Sequence, residues 1–397
     1  MTPRHPAAAT VAPARVNPVA APSSGSLPAA VAPTGPTPAT VSSSGSLPAR
    51  RGRRVTAVLV SLVVLAVGTA LLAACIGSVG VPLAETLRVL TGRTTVDPQM
   101  GVLLIDIRLP RVSTAAVAGA GLAVAGLMMQ TLFSNPLADP YILGVSSGAG
   151  LGVAVVTIGS GSAASAFAAA VGGAGRLGTV GAAAVGAGAV LGLVLLLGRW
   201  VRSVVALLII GVMIGAVAGA GVSLLLAFAD PARAQKFVLW GMGSVAGTDW
   251  PDLMLLAPVV LAGIVLAGVL ARSLNVLLLG ERYAASMGVA VRRVRAWAIT
   301  ATALIAGAVT AFCGPVAFLG IAVPHLTRLA LGSSDHRVLV PGCALLGAAV
   351  CQLCAVVAQL PGQDGVLPLN VTTAVIGAPV VVAVLLRSRR LAAGAVT

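Results

Sequence analysis

Charge is what this sequence has least of. Of 397 residues only 9% are Asp, Glu, Lys or Arg, where soluble domains carry about 25%. So few charges cannot cover a water-exposed surface, and with 58% hydrophobic residues and a mean hydropathy of +1.04 the chain needs lipid as its main solvent. Lysine is reduced to Lys236, followed by Phe237, so there is no G-x-x-x-x-G-K-[ST] phosphate loop and the chain does not power itself that way. His5, His325 and His336 lie apart with no H-E-x-x-H pattern, which argues against a metal centre. The ten acidic residues are scattered and offer no paired carboxylates for acid–base work. Cys351 and Cys354 form a C-x-x-C, but inside an apolar run and without further ligands; they read as small core residues on one helix face. Aromatic residues are scarce while glycine reaches 48, a balance suited to closely packed transmembrane helices. These absences leave an all-α polytopic membrane protein, a conduit or carrier with no catalytic residue, no metal and no cofactor of its own.

What is present has a clear order. Residues 1–54 are rich in Pro, Ala, Ser and Thr, and SSGSLPA occurs twice, at Ser23–Ala29 and Ser43–Ala49. Such a stretch buries too little apolar area to offset its ordering entropy and is expected to be a disordered tail. It ends in Arg50, Arg51, Arg53 and Arg54, directly before the apolar run Val55–Cys75, which is long enough to span. The end of that run, Leu72-Ala73-Ala74-Cys75, matches a lipoprotein cleavage box, a cheap match in an Ala- and Leu-rich helix. Further spans are expected near 112–133, 143–171, 178–198, 203–228, 253–271, 296–313, 315–331, 338–360 and 370–386, about ten in all, giving a membrane domain over 55–390 and a short C-terminal tail over 391–397.

With ten crossings and the N-terminus in the cytoplasm, 18 of the 25 basic residues fall inside. The seven outside are Arg88, Arg93, Arg108, Arg111, Arg176, Arg233 and Lys236. That asymmetry puts both termini in the cytoplasm. The net charge of +15 is then a topology signal plus attraction to membrane lipid, with no need for nucleic acid. Gly211, Gly215 and Gly219 form a small-residue stripe that by itself identifies no function. Gly173, Gly175 and Gly178 match G-x-G-x-x-G, but no βαβ unit surrounds them.

Three polar interruptions carry more information. Arg108-Leu109-Pro110-Arg111 closes the outer end of the second span. It reads either as a cationic docking point for carboxylates on a soluble partner or as ordinary interfacial snorkelling. Asn135–Gly150 holds Pro136 and Pro140, which cannot continue a regular helix, so the backbone breaks there, at a structural turn or beside a water-filled path. Gly280–Arg295 is too polar to span. A short amphipathic helix ending at Gly288, then a basic stretch, fits a groove on a cytoplasmic partner or the anionic headgroup layer.

Together RLPR, GAGLAVAGLMMQTLFSNPLADPYILGVSSGAGLG, GERYAASMGVAVRRVR and GPVAFLGIAVPHLTRLALGSSDHRVLVPGCALLGA resemble the FecCD-type permeases of ATP-binding-cassette importers for ferric siderophores, haem and cobalamin, over about residues 55 to 390. The resemblance implies a type II importer permease fold of ten helices. It implies as partners a second copy or a paralogous permease, two cytoplasmic ATPases that use ATP and magnesium, and an extracytoplasmic substrate-binding protein. It makes Arg108 and Arg111 docking contacts and Gly280–Arg295 the coupling loop, with Gly280, Glu281, Arg282, Ala285, Met287, Gly288, Arg292, Arg293 and Arg295 at the ATPase. Asn135 and Leu137 match one element of a cytoplasmic gate and Val204 and Val205 a second, where the family commonly has polar residues. His325 and Arg328 fall in a structural signature, with Asp335, His336 and Arg337 in the adjoining turn.

The sequence also departs from the family. Ala355 and Gln359 stand where an aspartate and a docking arginine are usual, and Val366 replaces a glutamate in a segment that ends at Asn370, so an internal charge set was removed together. The expected role is import of a metal chelate across the cytoplasmic (inner) membrane, a ferric siderophore first and haem or cobalamin next. A carrier driven by an ion gradient is the rival class.

Overall fold

The structure is a computed structural model that describes residues 47–77, 79–93, 95, 97–159, 162–173, 175–201, 203–359 and 367–394. The expected disordered tail, up to residue 46, and Val366 lie outside the described residues. Among those described, every regular element is helical. In chain order they are α1 (Leu47–Cys75), α2 (Leu83–Leu90), α3 (Pro98–Val102), a π-helical turn (Leu103–Arg108), α4 (Leu109–Leu132), a 3-10 turn (Pro140–Leu143), α5 (Val145–Thr157), α6 (Ser162–Ala170) and α7 (Arg176–Gly198). The second half holds α8 (Val204–Ala227), α9 (Pro231–Gly241), α10 (Trp250–Leu277), α11 (Glu281–Ser286), α12 (Val291–Cys313), α13 (Leu319–Leu331), α14 (His336–Ala358) and α15 (Leu369–Gly394).

Seven helical runs are long and apolar enough to cross a membrane: Gly52–Cys75 of α1, the continuous run Pro98–Leu132, α7, Val205–Ala227 of α8, α10, α12 and α14. The pair α5 and α6, bent by 112°, makes an eighth if it is taken as one span, and α13 and Leu369–Ala383 of α15 are shorter apolar helices. Each of the ten expected spans thus coincides with one of these. The boundaries differ at charged ends. Because α1 starts at Leu47, the four arginines before Val55 belong to its first turns and the tail ends earlier than residue 54. At the other end, α15 continues through the expected boundary at 390 to Gly394. Arg, Ala and Leu are all good helix formers, so a helix seeded in the apolar run propagates through them.

At the centre of the bundle is α4, packed by α10, α12, α13 and α14. From Gly121 to Leu132 all of its residues are buried, which explains why the segment is apolar on all sides rather than on one stripe. Close approach is made by glycine. A Cβ at Gly119 would collide with the carbonyl oxygen of Gly347 on α14, and one at Gly347 with that of Gly119. On the other side, a Cβ at Gly126 would strike the carbonyl of Gly320. Small residues let backbones meet where lipid offers no hydrophobic drive between helices. Outer helix α1 is pinned to α14 by one buried bond, Thr69 Oγ1 donating to Gln352 Oε1 at 2.8 Å. Cys351 and Cys354 are buried free thiols in the core, as expected from their apolar run, and so are Cys313 and Cys343, while Cys75 is half-buried.

Candidate functional site

The first locus is the RLPR segment. It lies inside a 35-residue helical run, Pro98–Leu132, rather than on a short outer connector. Asp97 caps that run by accepting from the amide of Gln99 at 2.9 Å. Pro110 is accommodated because the π-helical turn just before it already loosens the i→i−4 ladder that proline cannot complete. The two arginines then diverge. Arg108 is buried, and its guanidinium donates to the carbonyls of Ala74 at 2.7 Å, Cys75 at 2.9 Å and Val79. Two of these close α1, where orphan carbonyls and the negative end of the helix dipole attract a cation. Arg108 therefore directs its guanidinium donors to carbonyls of its own chain. Arg111, one turn on, is half-buried and has no carboxylate partner among the described residues. It lines a narrow cleft with Arg108, Gln352, Ala355, Val356 and Gln359, so the sequence-predicted docking residues do come together.

The second locus is the break after α4. Ser134 adopts φ 47, and Asn135 Oδ1 then accepts from the amide of Leu137 at 3.0 Å, an Asx turn that hands the chain to Pro136. Asp139 accepts from the amide of Tyr141 at 2.8 Å and starts the 3-10 turn, and Gly144 at φ 76 ends it. Burial pushes the Asp139 carboxyl up to about 6. This turn rests on α8. A Cβ at Gly144 would meet the backbone of Gly211 and Gly215, and one at Gly211 would lie 2.9 Å from Leu143 Cα. Two members of the glycine stripe thus form a joint between the break that follows Asn135 and Leu137 and the helix that starts at Val204, while Gly219 faces open space. Leu137 is exposed, as is Val205; Val204 is the first residue of α8, whose N-cap Ser203 accepts from the amide of Ala206 at 3.3 Å.

The third locus is the polar segment after α10. Gly280 at φ 102 opens it, α11 forms a short helix, and Gly288 at φ 82 closes it. Ala284 is the buried foot of α11, whereas Arg282, Tyr283, Ala285 and Met287 are exposed. The basic stretch is not a loop: Arg292, Arg293 and Arg295 occupy the first turns of α12. There Arg295 pairs with Glu281 across the two helices, Arg292 Nη2 donates to the carbonyl of Arg199 at 3.0 Å, and Arg293 is exposed.

A polar network absent from the expectations braces these loci. Arg328 Nη1 donates to Gln130 Oε1 at 2.7 Å, and Gln130 Nε2 donates to the carbonyls of Gly320 and Ile321, both at 3.2 Å, tying α4 to α13. Thr131 Oγ1 meets His336 Nε2 at 2.7 Å, and Asn275 Oδ1 accepts from the backbone amide of His336 at 2.8 Å, with its Nδ2 donating to Asp335 at 2.6 Å. Burial works against the Asp335 carboxylate, but bonds from the Arg337 amide and Asn275 outweigh it and leave its pKa below the ordinary value. Asn370 clamps the approach to α13, accepting from the amide of Ala317 at 2.9 Å and donating to the carbonyl of Pro315 at 2.8 Å. Gln130 and Asn275 were signalled by being lone amides in apolar runs. His325 and Arg328 stand on α13. Among the described residues no group of His, Cys, Asp and Glu could hold a metal ion.

Comparison with known proteins agrees with this architecture. The model of the FecCD transport family matches residues 59–387. The haemin transport system permease protein HmuU of Yersinia pestis is 35% identical over 337 residues, which is 85% of this chain and 96% of that protein. The vitamin B12 import system permease protein BtuC of Escherichia coli is 36% identical over 299 residues, 74% of this chain and 86% of that one. A solved structure assigned to a metal-chelate type ABC transporter, in an inward-facing conformation, superposes with a TM-score of 0.73 at 28% identity, covering 84% of this chain and 99% of its own. A family match over most of the length, together with two relatives above a third identical, establishes that this chain belongs to the FecCD transport family.

Proposed function

We propose that this chain is the membrane-spanning permease of an ATP-binding-cassette importer for a metal chelate in the cytoplasmic membrane, with both termini inside. The observation that carries the reading is the joint of Gly144 on Gly211 and Gly215, because it links the break beside Asn135 and Leu137 to the base of α8. Running past that joint along α8, Val205, Ile209, Met213 and Val217 follow one another at four-residue spacing, all exposed and all apolar. Such a stripe suits an interface with a second copy around a path that closes by dewetting. Cytoplasmic ATPases would grip α11, and hydrolysis there would move α11 with α12 through the Glu281–Arg295 pair. A binding protein would dock over the cleft of Arg111 and Gln359, the first through charge and the second through hydrogen bonds.

The relatives named for haemin and vitamin B12 favour a planar metal macrocycle as cargo over a ferric siderophore. An ion-driven carrier would want an acid near mid-bilayer. The acids of the described spans, Asp106 and Asp252, sit toward helix ends instead. Uptake of labelled haem, cobalamin and ferric siderophores should be measured in a strain lacking the gene, with the gene restored. ATP-dependent uptake of one of them supports the reading. Uptake that follows an ion gradient and ignores ATP depletion overturns it.

A further inference from the structure

Behind α11 the structure holds a cavity of ≈ 610 Å³, walled in part by the Glu281–Arg295 pair. Four arginines face it, Arg199, Arg282, Arg292 and Arg295, against the single carboxylate of Glu281, which is engaged by Arg295. Its other wall is apolar, formed by residues such as Leu195, Leu207 and Ile299. A second cavity of ≈ 470 Å³ shares Leu195, Arg199 and Ala296 with the first and continues along the flank of α7 and α12 past Gly192 and Trp297. The combined space therefore has a cationic mouth and an apolar extension beside two membrane-crossing helices. Trp200 and Trp297 are both well exposed beside it, at 73% and 51%. Exposed tryptophans next to arginines mark the headgroup level of a bilayer.

A soluble anion would leave the apolar extension empty, and a neutral lipid would leave the arginines without a counter-charge. We infer that this cavity binds one anionic phospholipid, its phosphate at Arg199, Arg282 and Arg292 and an acyl chain along Gly192 and Trp297. Basic pockets between transmembrane helices take anionic headgroups by the same electrostatics. Because the mouth is built from α11 and the start of α12, the bound lipid props the short helix against the bundle. The inference does not depend on the cargo or on the transport reading.

The test uses the full chain in detergent, with bound lipid counted by native mass spectrometry. Phosphatidylglycerol and phosphatidylcholine with the same acyl chains are compared, and inorganic phosphate is added in a parallel thermal-unfolding series. Phosphatidylglycerol should bind at least about tenfold more tightly than phosphatidylcholine, and R199A with R292A should cut that preference by about fivefold per arginine. Gly192 has open space where a Cβ would go. Hence G192L should fold normally yet weaken both lipids alike by filling the acyl slot. Equal binding of the two lipids would overturn the inference, as would stabilisation by inorganic phosphate equal to that by phosphatidylglycerol. A change of oligomeric state in the arginine variants with lipid preference intact would also overturn it, because a second copy would then cover the cavity.

Discussion

Single residues divide the labour in the first turns of the central helix run. Arg108 ties α1 to the central helix run through three carbonyls, whereas Arg111 keeps its charge available. Arg108→Ala would leave the buried Ala74 carbonyl unsatisfied, a cost of about 1–3 kcal/mol, and should lower the thermal unfolding temperature in detergent. Arg111→Glu should leave unfolding unchanged and abolish uptake that depends on the binding protein; normal uptake in that variant would remove Arg111 from the docking surface. Asp139 offers a pH-dependent test. Its carboxyl in the folded chain titrates at about 6, above its unfolded value, so the folded state holds the proton more tightly. Stability contributed by that group is then greatest at low pH and declines as pH rises toward 6. Asp139→Asn keeps the acceptor for the Tyr141 amide, so it should match the parent near pH 4 and be the more stable above pH 6, as read from unfolding temperatures across that range.

Whole elements were legible in the sequence wherever lipid had to be their solvent. The ten apolar runs are all helical, seven of them long and apolar enough to cross a bilayer, because an unpaired backbone cannot cross one, and hydropathy locates them. Their ends were less legible. The start of α12 at Val291 hides behind three arginines, and the run Pro98–Leu132 hides behind Asp106, Arg108, Pro110 and Arg111, because charge and proline lower apparent apolarity without breaking the helix. The candidate site was legible as segments but not as contacts. Nothing in RLPR distinguishes the arginine that turns inward, since the carbonyls it satisfies lie 29 to 34 residues earlier. Likewise the glycine stripe gained meaning only when Gly144 was found seated on two of its members. At this scale Gly347→Leu is expected to force α14 from α4 and cost about 1–3 kcal/mol or more, seen as lost yield of folded protein in detergent. Gly219→Leu, which meets open space on α8, should be tolerated.

For the molecule as a whole, the membrane fold is carried by the chain from α1 onward, and the family match starts only at residue 59. Deletion of residues 1–46 should therefore leave membrane insertion and uptake unchanged; lost uptake with normal insertion would give the tail a role of its own. The burial of the cysteines has a practical side. Four thiols are sealed in the core and the fifth, Cys75, is half-covered beside Thr86. Buried thiols react slowly with alkylating reagents, so the native chain serves as a nearly silent background for labelling. A spin label or fluorophore on a cysteine placed at the exposed Leu137 or Val205 would report any movement of the break against α8, with Cys75 alone left to be replaced.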